Sequence, residues 1–348
     1  MSGRRAAAWV GALVAVLSVA IAARLLTLAT SGRPPRRGDG RTVASYGFDL
    51  THLALPHGTL VAAGMPRDGV RALVNPQIWS AARMDAQRQQ RRAPSLVPTD
   101  LVIGAVVHGQ PRAWPLRFLV WHEVVNDLVA GEPVLVVHHA LSGFSAVFTR
   151  RLGDGTIPTF GVSGLLWNSG PVLYDRSPGG ESLWSPFLAR AISGPAARRP
   201  ETLKLQPSQV VTWADWRGRH PDTTVLAPDP ALAKEYRREP FGSYLGSDLL
   251  RFPAQPAWPH RDLPNKTLTL VVPQAAGAAL AIPHPAATAR ADSSGVVHLD
   301  AGDGHLTLRL TTRPATLVIT DPDPPPSLVA FAFAWYAAHP HDTRWLLP

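Results

Sequence analysis

From Thr99 onward the apolar positions fall in short runs separated by turn residues. Leu101–Val107 is an unbroken apolar run of strand length. His108-Gly109-Gln110-Pro111 is a turn, and residues 112–116 return from it. Residues 133–139 and 143–150 are two more strand candidates. Gly153-Asp154-Gly155 is a hairpin turn signal leading into residues 156–163, and residues 172–175 continue the pattern. Helical spacing appears in three places. In residues 77–92 it puts Ile78, Trp79, Ala82 and Ala86 on one side, with Pro94 and Pro98 behind the helix. Residues 116–129 and 208–219 carry the same period. Strands dominate and do not alternate with helices. The predicted class is therefore α+β and β-rich, with short antiparallel strands and a few helices.

The chain also resembles itself. Trp216-Arg-Gly-Arg-His220-Pro221-Asp222-Thr223 is similar to Trp335-Tyr-Ala-Ala-His339-Pro340-His341-Asp342-Thr343. Residues 101–116 and 268–283 both read as strand, turn, strand, proline. Two related units are expected, a main domain over 99–264 and a shorter repeat over 265–348 that lacks the polar motifs of the first. Residues 42–98 form an extension ahead of them.

The N-terminus reads as an address. Arg4 and Arg5 precede an uncharged, mostly apolar stretch over residues 6–23, and Leu25, Leu26 and Leu28 follow Arg24. That length is near the lower limit for a membrane-spanning helix, and the leading arginines place its start in the cytoplasm. Ala20-Ile21-Ala22 also fits a small-residue cleavage site. Residues 1–30 are thus a signal anchor or a signal peptide, and residues 31–41 a linker. The expected location is the cell membrane, with one N-terminal span and an extracytoplasmic domain, or secretion after cleavage.

Composition narrows the chemistry. The 348 residues contain no cysteine, which removes disulfides, thiolate metal sites, iron–sulfur clusters and a Cys nucleophile. Net charge is +9, but seven arginines and one acid within the first 41 residues supply +6 of it. No basic body remains to neutralise a run of phosphates, so a nucleic-acid partner is excluded. No phosphate loop or dinucleotide fingerprint occurs.

The densest polar cluster is Trp121-His122-Glu123-Val124-Val125-Asn126-Asp127. On a helix His122 and Asn126 share a face. A zinc-protease helix needs His at position 126, so that motif is broken. His138 and His139 end an apolar run, and on a strand their rings point to opposite faces. Ser142 is a nucleophile only with a base beside it. Gly161-Val162-Ser163-Gly164 lacks the last glycine of a nucleophile elbow, since Leu165 stands there. Asn168, Asp175, Arg176 and Glu181 are spaced polar groups between strands. Trp114, Trp121, Trp167 and Trp184 are expected in the core.

Several of these motifs, in this order, resemble the bacterial domain-of-unknown-function family 3179. They are Ala113-Trp-Pro-Leu116, Trp121 through Asp127, Phe160-Gly-Val-Ser-Gly-Leu-Leu-Trp-Asn-Ser169, Tyr174-Asp-Arg176, Glu181-Ser-Leu-Trp-Ser185 and Trp216 through Thr223. The resemblance covers about residues 99–264. It implies no activity, because the family is itself uncharacterised. It does expose a departure. The family typically carries Cys-Pro-Leu-Cys or Cys-Pro-Leu-Thr where this chain has His139-Ala140-Leu141-Ser142. Thiol redox is thereby excluded.

Three functional readings stand at this point. One is a binding module for a metal or a small ligand near His122, Glu123 and His139. Its candidate ligand contacts are His122, Glu123, Asn126, Ser142, Asn168, Asp175, Arg176 and Glu181. Its candidate metal ligands are His139, His122 and Glu123, with zinc or copper as the divalent cofactor. A second is a metal-assisted hydrolase with Glu123 as general base. A third is a non-catalytic scaffold that partners a protein and has lost the family's Cys-based site.

Overall fold

Apolar runs without polar alternation become the middle of an eight-stranded sheet. In the computed structural model, which describes residues 37–90, 94–302 and 304–347, its strand order is Leu73–Val74, Val124–Val129, Glu132–His139, Phe144–Thr149, Leu328–Phe331, Leu268–Pro273, Ala279–Pro283 and Thr343–Trp345. Neighbours are antiparallel except for a parallel strand at each edge. Both faces are covered. Val125, Val134, Val136 and Val147 enter one apolar cluster, and Val124, Leu135, Val137 and Ala146 enter the other. A strand buried on both faces needs apolar side chains at every position, which explains the unbroken runs.

The first face packs on a five-stranded sheet ordered Gln209–Thr212, Leu101–Val107, Gln110–Pro115, Thr224–Leu226 and Ile78–Ser80. A three-stranded sheet, Val296–Asp300, His305–Thr312 and Ala315–Ile319, shares this cluster. The second face packs on another five-stranded sheet ordered Leu60–Ala62, Phe160–Trp167, Gly170–Asp175, Leu183–Ser185 and Arg190–Ser193. The fold is β-rich α+β, as the pattern predicts. Residues 1–30 and most of the linker lie outside the described residues. Among the described residues no helix is long and apolar enough to cross a membrane.

Two of the three predicted helices begin too early, and the third runs on too far. Only Leu116–Leu119 of residues 116–129 is helical, and Val124–Val129 is a strand. His122 and Asn126 therefore share no helical face. Val124, Val125 and Val129 are β-branched and buried. The Ala130-Gly131 turn, with φ of 49° and 80°, folds them back onto Glu132–His139. Gln209–Thr212 is likewise a strand against Leu101–Val107. Its helix, Trp213–Arg219, starts where Thr212 Oγ1 accepts from the Asp215 amide at 3.2 Å. Ile78–Ser80 is a strand ahead of the helix Ala81–Gln90. Gly153-Asp154-Gly155 turns a crossing loop rather than a hairpin, because Phe144–Thr149 and Phe160–Trp167 belong to different sheets.

One arrangement occurs twice. Gln209–Thr212, Leu101–Val107, Gln110–Pro115 and Thr224–Leu226 are paired antiparallel, antiparallel, parallel. So are Leu328–Phe331, Leu268–Pro273, Ala279–Pro283 and Thr343–Trp345. Trp216 Nε1 donates to Thr223 Oγ1, and Trp335 Nε1 to Thr343 Oγ1. Each tryptophan packs a histidine, His220 at 4.1 Å and His339 at 4.0 Å between ring centres.

Candidate functional site

The hairpin of Glu132–His139 and Phe144–Thr149 ends in the loop Ala140-Leu141-Ser142-Gly143. Gly143 has φ 63°, and a Cβ there would stand 2.7 Å from the Phe331 ring. The loop is pinned from outside. Tyr244 Oη donates to the Leu141 carbonyl at 2.7 Å, and the Phe331 amide to the Ser142 carbonyl at 2.8 Å. His138 and His139 therefore sit at the end of a fixed strand and alternate onto its opposite faces.

On one face His139 shares a cavity of about 90 Å³ with Glu123, Leu141, Phe241, Arg251 and Phe252. Glu123 reaches it from the corner where the short helix ends and the strand Val124–Val129 begins. Its φ is 58°, and its carbonyl accepts from the His138 amide at 2.8 Å. Its carboxyl makes no hydrogen bond or ion pair among the described residues. The side chain is half-buried and lines the cavity. Burial without a compensating partner raises that carboxyl to about 7. His139 Nδ1 lies 2.9 Å from Ser142 Oγ, and its Nε2 has no partner among the described residues. Burial first, and then the neighbouring His138, push this imidazole down to about 3, so it is neutral. The arrangement offers a ligand one carboxyl poised between two protonation states and one neutral ring nitrogen. Apolar side chains and the exposed Arg251 line the rest of the cavity.

The remaining candidates do not join this cavity. His122 is fully buried, and both ring nitrogens are engaged, Nδ1 with the Arg71 carbonyl at 2.9 Å and Nε2 with Tyr236 Oη at 2.6 Å. Burial lowers its pKa as well. The trio His122, Glu123 and His139 therefore does not converge. Among the described residues no three His, Asp or Glu side chains are grouped to hold a metal ion. Asn126 ties strands together, donating to the Leu73 and Phe160 carbonyls and accepting from the Phe160 amide. Asn168 bridges the Ala337 carbonyl and the Gln255 amide. Asp175 accepts from Trp184 Nε1 at 2.7 Å. Arg176 pairs with Asp68 at 2.8 Å rather than with its neighbour Asp175. Glu181 pairs with Arg67, whose guanidinium packs over the rings of Phe48 and Tyr174. Of the four expected core tryptophans, Trp114, Trp167 and Trp184 are buried and Trp121 is half-buried.

Phe241, Arg251 and Phe252 were not legible as site residues. They come from an irregular segment more than a hundred positions after Glu123. The one signal is a run of aromatics and arginines, Tyr236 to Phe252, without any strand period.

No curated protein and no solved structure matches this chain. The family model described as "Protein of unknown function (DUF3179)" matches residues 67–324, from just ahead of the strand Leu73–Val74 through the three-stranded sheet, and the chain belongs to that family.

Proposed function

We propose that this chain is a binding domain, carried to the extracytoplasmic side by its N-terminal segment, which holds a small polar ligand between Glu123 and His139. One observation carries the reading. A half-buried carboxyl and a nitrogen of a buried imidazole, neither with a partner among the described residues, line the same cavity. Buried polar groups are ordinarily satisfied. Two left open on one cavity mark the place where a ligand completes the hydrogen bonding. A volume of about 90 Å³ suits a ligand, or the tip of one, of a few heavy atoms. Zinc or copper would find two protein donors here, fewer than the three or four that protein zinc sites use. The small-ligand form of the proposal is therefore preferred to the metal form.

The hydrolase reading keeps one supporting observation, a carboxyl held at about 7, where general acid–base catalysis is efficient. It is distinguished by turnover lost in Glu123→Gln while binding persists.

The test is a thermal-shift panel on the purified protein with methylammonium, acetamide, zinc and copper salts, beside Glu123→Gln and His139→Phe. A probe at a hundredfold its Kd adds about 2.7 kcal/mol of stability. The expected result is a probe that raises the Tm of the wild type and of neither variant. No shift with any probe, or a shift that survives both substitutions, overturns the proposal.

A further inference from the structure

The other face of the same strand end carries a second cavity, of about 380 Å³. That is within the range of small-molecule sites. Its walls are apolar, with Leu116, Val120, Val210, Leu268, Val329 and Phe331 among them. Two buried polar side chains, His138 and Ser145, line it. His138 is 8% exposed, and its Nδ1 lies 3.0 Å from Ser145 Oγ. The ring is also hydrogen-bonded to the Phe144 backbone, and no side chain of the described residues lies within hydrogen-bond distance of its Nε2. The charges at the rim decide the ligand's sign. Arg117 is already paired with Asp100 at 3.0 Å. Glu239 lines the same cavity, and its side chain accepts only the Phe241 amide. Among the described residues lining the cavity no cation is left over to receive an anion, and one carboxylate stands against it.

We infer that this cavity is a binding site for a small neutral amphiphile, an apolar body bearing one hydroxyl or amine that hydrogen-bonds to His138 Nε2. The apolar walls supply the affinity through burial, and the single ring nitrogen fixes the orientation. A fatty-acid carboxylate of the same length is disfavoured, because its charge would be buried with no cationic partner. This site is separate from the Glu123 cavity, because successive residues of a strand face opposite ways.

The probe is N-phenyl-1-naphthylamine, a neutral apolar amine whose fluorescence rises in apolar surroundings, titrated into the full-length protein. Two variants are compared after circular dichroism has shown each to be folded. Leu245→Trp changes a lining residue that is 43% exposed, so it blocks the cavity without disturbing the core. His138→Phe removes the polar group and keeps the ring. Saturable enhancement in the wild type is expected, weakened at least about tenfold by Leu245→Trp and about fivefold by His138→Phe, the loss of one hydrogen bond. Octanol should displace the probe at concentrations where octanoate does not. No saturable enhancement, or equal binding by Leu245→Trp, overturns the site. Equal binding by His138→Phe, or octanoate displacing as well as octanol, overturns the assigned ligand chemistry.

Discussion

Replacing Glu123 by Gln removes an ionisable carboxyl and keeps its shape. Burial holds that carboxyl at about 7 against an ordinary 4.5. As pH rises the unfolded chain gives up this proton first. The stability contributed by the group is complete below 4.5, is lost as pH climbs toward 7, and stays lost above it. At 1.36 kcal/mol for each unit of displacement, the loss between about pH 5 and about pH 8 comes to roughly 2–3 kcal/mol. Three buried histidines run the other way. His122, His138 and His139 are all lowered, so their contribution falls as pH drops below 6.5. Both proteins retain these histidines, so the difference between wild type and Glu123→Gln isolates the carboxyl. Urea unfolding of the two at a series of pH values measures it. Glu123→Gln should gain on the wild type by about 2–3 kcal/mol from acid to mildly alkaline pH. A difference that does not change with pH would refute the argument, because it would mean that water solvates the carboxyl in the folded protein.

Further predictions concern the residues that hold the site. His122→Phe deletes bonds to Tyr236 Oη and the Arg71 carbonyl; it should cost about 2 kcal/mol in urea unfolding and leave thermal shifts by Glu123-cavity probes unchanged. Asp127→Ala strands the buried Arg112 guanidinium, which now pairs at 2.7 Å, and the expected cost is about 3–5 kcal/mol by the same assay. Gly143→Ala combines a φ of 63° with a Cβ 2.7 Å from Phe331, so a loss of roughly 2–4 kcal/mol is expected from calorimetry. A C-terminal alkaline-phosphatase fusion should be active in bacterial cells, and an inactive fusion beside an active cytoplasmic reporter would remove the extracytoplasmic reading.

How much of this was legible depended on whether the cause was local. Leu101–Val107 was read to the residue, because an unbroken apolar run bounded by a turn leaves little choice. Residues 133–139 and 143–150 came within a residue or two of Glu132–His139 and Phe144–Thr149. Residues 116–129 were misread because Leu116, Leu119, Val120 and Glu123 do keep a helical spacing. What breaks the helix is pairing with Glu132–His139 and burial on both faces, and neither is visible within the segment. Glu123 and His139 were singled out as chemical types, and the fold brings them to one cavity. His122 looked equivalent to them in sequence. Its partner Tyr236 lies 114 positions away, so nothing local marks it as satisfied.

The repeated arrangement bears on why the polar groups gather in one half. In the first copy the chain leaves after the short helix Leu116–Leu119 and returns at Gln209–Thr212. In the second it leaves after His284–Thr288 and returns at Leu328–Phe331. The first excursion contains Glu123, His138, His139 and Ser142, together with the sheet that covers them. The second contains only the three strands Val296–Asp300, His305–Thr312 and Ala315–Ile319. The paired tryptophan, histidine and threonine of each copy belong to the repeated frame. Their recurrence is then a packing requirement: Trp216 and Trp335 are 2% and 4% exposed, and each indole N–H needs an acceptor when buried. Glu123, His138 and His139 do not recur, because they lie in the longer first excursion. Yet the inserted strands do not stand alone. Phe144–Thr149 pairs with Leu328–Phe331, so the second copy completes the sheet on which the first copy's insertion is built. Removing the second copy should therefore expose an edge beside the His139 loop and release the Phe331 amide that holds Ser142. The half without polar motifs is the support that keeps the polar half in shape.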